Sequence, residues 1–253
     1  MTGGLEIADA YRPVAVTDRS GFDESVHYGA VVVLGESGEV SFAIGDPDVE
    51  IYPRSSNKPI QADAMLRRGL VLEPGELALA CASHDGTDVH VATTRQILAG
   101  AGLDDDALAN TPDLPLDPDA ADRLIAGGGH RAPVYMNCSG KHAAMVATCV
   151  ANRWPVDGYL DVDHPVQLAI TERIAQLAGP VVHIGVDGCG APAHVVALSG
   201  LARAFRTLAL EQGAVYSAMT GHPDLVAGER RDATRIMRLV PGLMAKDGAE
   251  GVF

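Results

Sequence analysis

The order of predicted elements along this 253-residue chain favours an α+β fold, in which helices flank an antiparallel sheet. Short β-rich runs separated by turn-forming residues come first. Stretches with apolar residues at helical spacing fill the middle, and a Lys-x-Gly motif stands near the end. Because strands and helices do not alternate, a parallel βαβ sheet is not favoured. No long linker divides the chain, so we expect a single domain over residues 1–253.

The amino-terminal part is predicted to be an antiparallel meander. Val14–Thr17, Ala30–Leu34 and Glu39–Ile44 are rich in β-branched and other apolar residues. The turn formers Ser20-Gly21 and Gly35-Glu36-Ser37-Gly38 separate them. Short strands joined by such turns are typical of hairpins.

A largely helical region is expected from about residue 55 to residue 180. Its first helix follows Tyr52-Pro53-Arg54 and carries Ser55 and Lys58 on its first turn. Asp104–His130 has no clear period and is predicted to be a surface excursion. The other predicted helices are Thr93–Ala101, Cys138–Asn152, Pro165–Leu177, Leu201–Gln212 and Tyr216–Met219, with Leu77–Ala82 a helix or a strand and Val181–Val186 a strand.

Composition excludes several classes of partner. A formal charge of −14 disfavours nucleic acid and anionic membrane surfaces. No apolar run approaches the roughly 20 residues that a membrane span needs. The segment Met1–Tyr11 lacks a basic stretch followed by an apolar one, so no signal peptide is expected. Four cysteines without a secretory signal indicate reduced thiols or metal ligands, and we expect a soluble cytoplasmic protein.

Lysine is rare in this chain, and each lysine stands in a motif. Ser55-Ser56-Asn57-Lys58 is a Ser-x-x-Lys, and Cys138-Ser139-Gly140-Lys141 places an amine three residues after a thiol. Residues i and i+3 share a helix face, so nucleophile and amine come together. Lys246-Asp247-Gly248 is the Lys-x-Gly that accompanies Ser-x-x-Lys in penicillin-recognising enzymes. Alone, a Ser-x-x-Lys is usually a solvated surface pair, but the combination favours nucleophilic catalysis with lysine as base.

Two further groups of residues are candidates for chemistry. Ser83 stands among small neighbours in Cys81-Ala82-Ser83-His84-Asp85, either as part of a site or as a helix cap. Cys138 and Cys189 lie in glycine-rich surroundings, where the backbone approaches something closely. They are either inert buried thiols or zinc ligands, although their spacing matches no standard zinc finger. Asp187 is a candidate to orient a substrate ammonium or to hold a lysine.

Together these segments resemble the asparaginase II family, the rhizobial-type class of L-asparaginases. The resemblance runs from about Val14 to the last residue, and the order of its six motifs is highly specific. The motifs are Arg54-Ser55-Ser56-Asn57-Lys58-Pro59-Ile60-Gln61, Cys81-Ala82-Ser83-His84, Asn137-Cys138-Ser139-Gly140-Lys141-His142, Asp187-Gly188-Cys189, His222-Pro223-Asp224-Leu225-Val226-Ala227-Gly228 and Lys246-Asp247-Gly248-Ala249-Glu250.

The resemblance implies hydrolysis of L-asparagine to aspartate and ammonia, on a fold similar to serine β-lactamases and glutaminases. It implies two Ser–Lys pairs, with Ser55 the nucleophile and Lys58 its base, and with Ser83 and Lys246 relaying protons or activating water. By the same residue match, Cys138, Lys141 and Cys189 surround a zinc ion, Asp187 holds the substrate amine and Arg231 contributes to substrate binding. A homodimer is also implied.

One departure from the family bears on the fold. The chain stops at Phe253, shortly after the Lys-x-Gly motif, whereas family members continue with further strands and a terminal helix. We therefore expect a carboxy-terminally incomplete version of the fold. Alternative functions on the same scaffold are a glutaminase or a β-lactam-interacting serine hydrolase. A non-catalytic zinc-binding protein is the alternative from another class.

Overall fold

A computed structural model describes residues 6–253 of the chain. Residues 1–5, which belong to the segment predicted not to be a signal peptide, lie outside the described residues. The described part combines helices with small antiparallel sheets, which agrees with the predicted α+β class. The likeness to serine β-lactamases and the missing late elements stay predictions.

The predicted meander consists of two separate hairpins. β1 (Arg12–Arg19) pairs with β2 (Phe22–Gly29), and β3 (Val31–Leu34) pairs with β4 (Val40–Ile44). Nearly every residue of β1 and β2 is exposed on both faces of this hairpin. A third antiparallel sheet has the order β5–β7–β6, formed by β5 (Glu50–Ile51), β6 (His183–Val186) and β7 (Pro192–Ala197).

The helices follow the predicted ones closely through the middle of the chain. Their starts coincide with capping signals, because proline occupies the first turn of several and polar side chains accept from the exposed N–H groups. Glu73 and Glu76 form a capping box, and Asp117 accepts from the backbone N–H of Ala120. The helices are α1 (Lys58–Arg67), α2 (Pro74–Ala80), α3 (Asp88–Gly100), α4 (Pro118–Ala126), α5 (Ser139–Asn152), α6 (Pro165–Ala178), α7 (Leu198–Glu211), α8 (Ala214–Gly221), α9 (Pro223–Val226) and α10 (Asp232–Leu239).

Sequence periodicity missed six of the strands and α-helices, namely β2, β5, β7, α4, α9 and α10. Asp104–His130, predicted to lack regular structure, contains α4, whose only buried residue is Ala120. A helix with so little buried surface leaves a weak apolar signal, so its polar and proline residues dominated the prediction. β7 is buried along most of its length and therefore lacks alternation, while α9 and α10 are short.

The core gathers around α2 and α5. Leu79 of α2 and Ala143 and Met145 of α5 are almost completely buried. Gly140 allows the two helices to meet, because a Cβ at this position would lie 2.6 Å from both Cγ and the carbonyl oxygen of Leu79. This close approach sets the position of the segments that flank both helices. Within residues 6–253, no helix has the length and apolar content that crossing a bilayer requires.

We expect Gly140→Ala to destabilise the protein by about 1–3 kcal/mol, since the added methyl overpacks the α2–α5 contact. The better helix propensity of alanine offsets only part of this cost. Urea unfolding followed by circular dichroism measures the change. Gly100→Ala is the matched control, because it also lies in a helix but has nothing within 4 Å of its added Cβ. Equal stability of the two variants would contradict the proposed role of Gly140.

Candidate active site

Two buried lysine amines meet at the hydroxyl of Ser83. Nζ of Lys58 lies 3.1 Å from Oγ of Ser83, and Nζ of Lys246 lies 2.9 Å from the same atom. Each lysine is only 2% exposed. Three segments that are far apart in the sequence therefore converge: the start of α1, the segment after α2, and the Lys-x-Gly motif.

The predicted pairing of Lys58 with Ser55 is not what the structure shows. The Lys58 ammonium donates to the carbonyl oxygen of Ala82 at 2.5 Å, to Ser83, and to Sγ of Cys138 at 3.1 Å. An ammonium has three N–H donors, and these contacts use all of them. No hydrogen bond joins the Ser55 hydroxyl to Lys58 in the described chain. The role of Ser55 as nucleophile stays a prediction.

Ser55 lies in a tight turn at the entrance of α1. The turn, Arg54–Asn57, is a 3₁₀ helix, so Ser55 precedes the α-helix that carries Lys58. Arg54 has a positive φ of 51°, a conformation that costs a non-glycine residue about 1–3 kcal/mol and that clusters at functional sites. Its guanidinium donates to Oδ1 of Asp187 at 2.7 and 2.9 Å. This ion pair holds the strained turn against the Asp187-Gly188 loop.

Asp187, predicted to hold the substrate amine, is thus engaged by Arg54. Burial by itself raises the pKa of Asp187, but the hydrogen bond from Arg54 and the charge of Lys141 outweigh it and hold the pKa below its ordinary value. The carboxylate is half-buried and stays ionised at neutral pH. It can attract a substrate ammonium, although Arg54 competes for it.

The Lys-x-Gly segment packs tightly against the turn that carries Ser55. A Cβ on Gly248 would lie 2.7 Å from the carbonyl oxygen of Pro53 and 2.9 Å from Oγ of Ser56. The hydroxyl of Ser56 donates to the carbonyl oxygen of Lys246 at 3.3 Å. Only glycine permits this approach, which explains why the motif ends in glycine.

Burial and the neighbouring Lys58 ammonium lower the pKa of Lys246 to about 8, even though Asp247 acts in the opposite direction. Two ammonium groups within hydrogen-bonding distance of one oxygen repel each other, so full protonation of the pair is disfavoured. Part of the Lys246 population is therefore a neutral amine near neutral pH. Such an amine can accept a proton from a hydroxyl.

Arg231, predicted to bind substrate, is held between two carboxylates. Its guanidinium donates to Oδ1 of Asp85 at 3.2 Å and to Oδ2 of Asp247 at 2.5 Å. Oδ1 of the same Asp247 accepts from Nζ of Lys246 at 3.0 Å. Gly228 makes room for this arrangement, since a Cβ there would collide with the side chain of Asp85. Arg231 therefore connects to Lys246 through Asp247.

The predicted zinc ligands also lie together. Nζ of Lys141 is 3.3 Å from Sγ of Cys189. The Cys189 thiol donates to the Cys138 sulfur, and this bond, with Lys58 and Lys141 nearby, holds the pKa of Cys138 well below its ordinary value despite burial. The same bond, together with burial, raises the pKa of Cys189. Cys138 is therefore the more acidic thiol of the pair.

These donors fit a zinc ion on the condition that Lys141 binds it as a neutral amine. Thiolates are ligands that zinc prefers, and a neutral amine can complete the set. Burial lowers the pKa of Lys141, but the sulfurs of Cys189 and Cys138 outweigh it and raise the pKa, so zinc would have to displace a proton. Across residues 6–253, no three side chains of His, Cys, Asp or Glu gather as a metal cluster, so the site depends on Lys141 as a ligand.

A buried polar network supports the segment that carries Ser83. The backbone N–H of Gly86 donates to Nδ1 of His84, so Nε2–H of His84 faces Oγ of Ser139 at 3.0 Å. The Ser139 hydroxyl also lies 3.0 Å from Oγ1 of Thr94. Burial holds the pKa of His84 well below its ordinary value, so the ring is neutral and serves to position the segment.

The fold and the site define an α+β protein in which two buried lysine amines contact one serine hydroxyl. The family model of L-asparaginase II matches residues 15–253, and the chain belongs to this family. Membership supports amide hydrolysis of the asparaginase type. Comparison with curated protein sequences finds no match for this chain.

Sequence reasoning missed three residues that organise the site. Asp247, Asp85 and Arg54 each stand inside a motif or directly beside a predicted site residue, yet none was assigned a role. For Asp247, the sequence signal that could have indicated a role was its position directly after Lys246. The ion pairs that involve Asp85 and Arg54 join residues 146 and 133 positions apart, which no local pattern reveals.

Proposed function

We propose that this chain hydrolyses L-asparagine to aspartate and ammonia, using a serine hydroxyl activated by buried lysine amines. The contact of Lys58 and Lys246 with Ser83 is the observation on which the proposal rests. Membership of the L-asparaginase II family narrows the reaction to amide hydrolysis. The combination explains why a chain with so little lysine buries its amines in one place.

The chemistry needs a nucleophile and a proton carrier in contact. A serine Oγ forms a bond to the carboxamide carbon of the substrate while its proton passes to a neutral lysine amine. The C–N bond then breaks, and the lysine returns the proton to the departing nitrogen, which leaves as ammonia. Water attacks the resulting ester by the reverse proton path, which releases aspartate and restores the serine.

Two serines compete for the role of nucleophile. Ser83 has both amines within hydrogen-bonding distance but is only 7% exposed. Ser55, the predicted nucleophile, is half-buried and more accessible, and it lies beside the segment that carries Lys246. We propose that Ser83 conducts protons between the two lysines. Ser55 remains the predicted point of attack on the substrate.

Substrate selection involves the charges around this centre. Asp187 is ionised and stands in the same loop as Cys189. It is therefore suited to receive the ammonium of an amino acid. Arg231 stays a predicted substrate-binding residue by resemblance to the family. Both charges already have protein partners, so the substrate must compete with Arg54 for Asp187 and with two carboxylates for Arg231.

We expect Ser83→Ala, Lys58→Met and Lys246→Met each to lower ammonia release from asparagine by about 100-fold or more, because each removes part of the proton path. Coupled-enzyme detection of ammonia measures the rate. Ser217→Ala, an exposed serine of α8, is the control and should keep full activity. Circular dichroism confirms that each variant folds.

The nucleophile is identified by acid-quenching the reaction and mapping the acylated peptide by mass spectrometry. Acylation at Ser55 supports the predicted assignment, and acylation at Ser83 transfers the role to Ser83. Rates with glutamine and a chromogenic cephalosporin test the alternative hydrolases. A folded wild-type protein that releases no ammonia from asparagine would contradict the proposed function.

We propose that zinc binds Cys138, Cys189 and Lys141 and helps to position the substrate. Purified protein should then contain about one zinc per chain, as measured by inductively coupled plasma mass spectrometry. Cys189→Ala should lose the metal, because it removes one of two sulfur ligands. Cys149→Ala, another buried free cysteine, should retain it. The absence of zinc from protein prepared without chelator would contradict the proposed zinc site.

Pairing into a homodimer is a further prediction from the family resemblance, and a cytoplasmic setting is a prediction from composition. The β1–β2 hairpin exposes apolar side chains, among them Val16, Val26 and Tyr28, which is consistent with a covered surface. Sedimentation velocity should therefore give about twice the mass of the 26.3 kDa chain. A single species of monomer mass at micromolar concentration would contradict the dimer.

A further inference from the structure

A series of side-chain contacts runs from Ser83 to Asp85 by way of the Lys-x-Gly segment. The backbone between Ser83 and Asp85 closes this series into a ring. Lys246 donates to Ser83 at 2.9 Å and to Oδ1 of Asp247 at 3.0 Å. Arg231 then joins the other oxygen of Asp247 to Asp85, which is two residues after Ser83. A ring of this kind restricts how far the amine of Lys246 can move from the Ser83 hydroxyl.

The ring matters because the Lys-x-Gly segment, although it packs against the turn that carries Ser55, has few hydrogen bonds outside the ring. Lys246 and Asp247 belong to no helix or strand in the described structure. Their backbone is held by the hydroxyl of Ser56, which donates to the Lys246 carbonyl oxygen at 3.3 Å. The guanidinium of Arg231 is the strongest side-chain anchor, since charge-assisted hydrogen bonds exceed neutral ones.

The geometry of Arg231 also fits its two partners. Arginine presents donors in a planar fork, so Nη1 and Nη2 can serve different carboxylates at once. Asp85 is buried and is fixed by its own backbone, whose N–H donates to the carbonyl oxygen of Ala227 at 2.7 Å. Asp85 is therefore a firm support, and Asp247 is the movable partner that Arg231 restrains.

We propose that Arg231 is a positioning residue that holds Lys246 on Ser83 through Asp247, and that it is not a ligand of the substrate carboxylate. This inference rests on the proposed function, in which Lys246 carries protons. It replaces the role that the family resemblance implies for Arg231. One N–H of each terminal nitrogen donates to a protein carboxylate, so a substrate carboxylate would have to share the guanidinium with Asp85 and Asp247.

Other charged and titratable groups also act on Lys246, and the test must hold them constant. Lys58 lowers the pKa of Lys246, whereas Asp247 and Cys138 raise it. Cys81 and His84 are close enough to feel the charge of Lys246. None of these residues is altered in the single Arg231 variants.

Kinetics separate positioning from substrate binding. Arg231→Met should lower kcat for asparagine by about 10- to 100-fold and leave KM within about two-fold, because a displaced proton carrier affects the chemical step. Arg231→Lys should recover only part of kcat, since an ammonium lacks the fork that spans two carboxylates. Arg231→Met combined with Asp247→Asn should cost little more than either change alone, because both act on one chain of contacts.

Arg230→Met provides a matched control. Arg230 is the neighbouring arginine and also binds two carboxylates, Asp117 and Asp119, but it is exposed. Its replacement should leave both kcat and KM unchanged. A KM raised ten-fold or more by Arg231→Met, with kcat retained, would overturn the proposal and return Arg231 to the substrate carboxylate.

A second measurement is independent of activity. Lys58, Lys141 and Lys246 are the only lysines of the chain, so selectively ¹³C-labelled lysine gives a spectrum simple enough to follow by pH titration. Asp247→Asn should shift the Lys246 titration to lower pH, because it removes an anion. Arg231→Met should shift it to higher pH, because it removes a cation. A general loosening of the fold would not produce opposite shifts.

These results distinguish the two proposals. Failure of the wild-type protein to hydrolyse asparagine defeats the proposed function, and the lysine titration still tests the ring. An unchanged Lys246 titration in both variants overturns the positioning role, whatever the activity.

Discussion

The burial of two lysine amines against one serine hydroxyl is the constraint on which the rest of the site depends. A buried ammonium is unfavourable unless hydrogen bonds and counter-charges surround it. Lys58 is surrounded by a carbonyl oxygen, a hydroxyl and the sulfur of Cys138. Lys246 has the side chain and the carbonyl oxygen of Asp247. Each contact that makes burial tolerable also fixes the direction in which an amine points.

The same constraint explains why distant segments are held so closely. The amines begin on α1 and on the Lys-x-Gly segment, whereas the hydroxyl follows α2, so the site forms only when all three are in place. Gly140 and Gly248 are the positions at which the backbone allows the close approach. A Cβ at either position would lie less than 3 Å from a neighbouring carbonyl oxygen, so the segments would have to move apart. Packing and chemistry are therefore coupled through two glycines.

Much of the fold could be predicted from local patterns, but the contacts of the site could not. α5 and α6 begin and end within a residue or so of their predicted bounds, because long apolar periods and capping residues mark them. α4 was missed because it buries only one residue, and β7 because a buried strand does not alternate. The motifs indicated the residue types of the site. They could not show that Lys58 turns to Ser83, since that choice depends on which acceptors the fold brings within reach.

The charges of the site are balanced within the protein. Arg54 faces Asp187, Arg231 faces Asp85 and Asp247, and Lys58 faces the sulfur of Cys138, whose pKa is lowered. In the proposed function, a small zwitterionic substrate exchanges with the half-buried Arg54–Asp187 pair, because each of its charges replaces one that is displaced. A ligand with a single net charge would leave one protein charge buried without a partner, which costs several kcal/mol. For the function proposed above, we therefore expect zwitterionic amino-acid amides to be favoured over ligands with a single net charge.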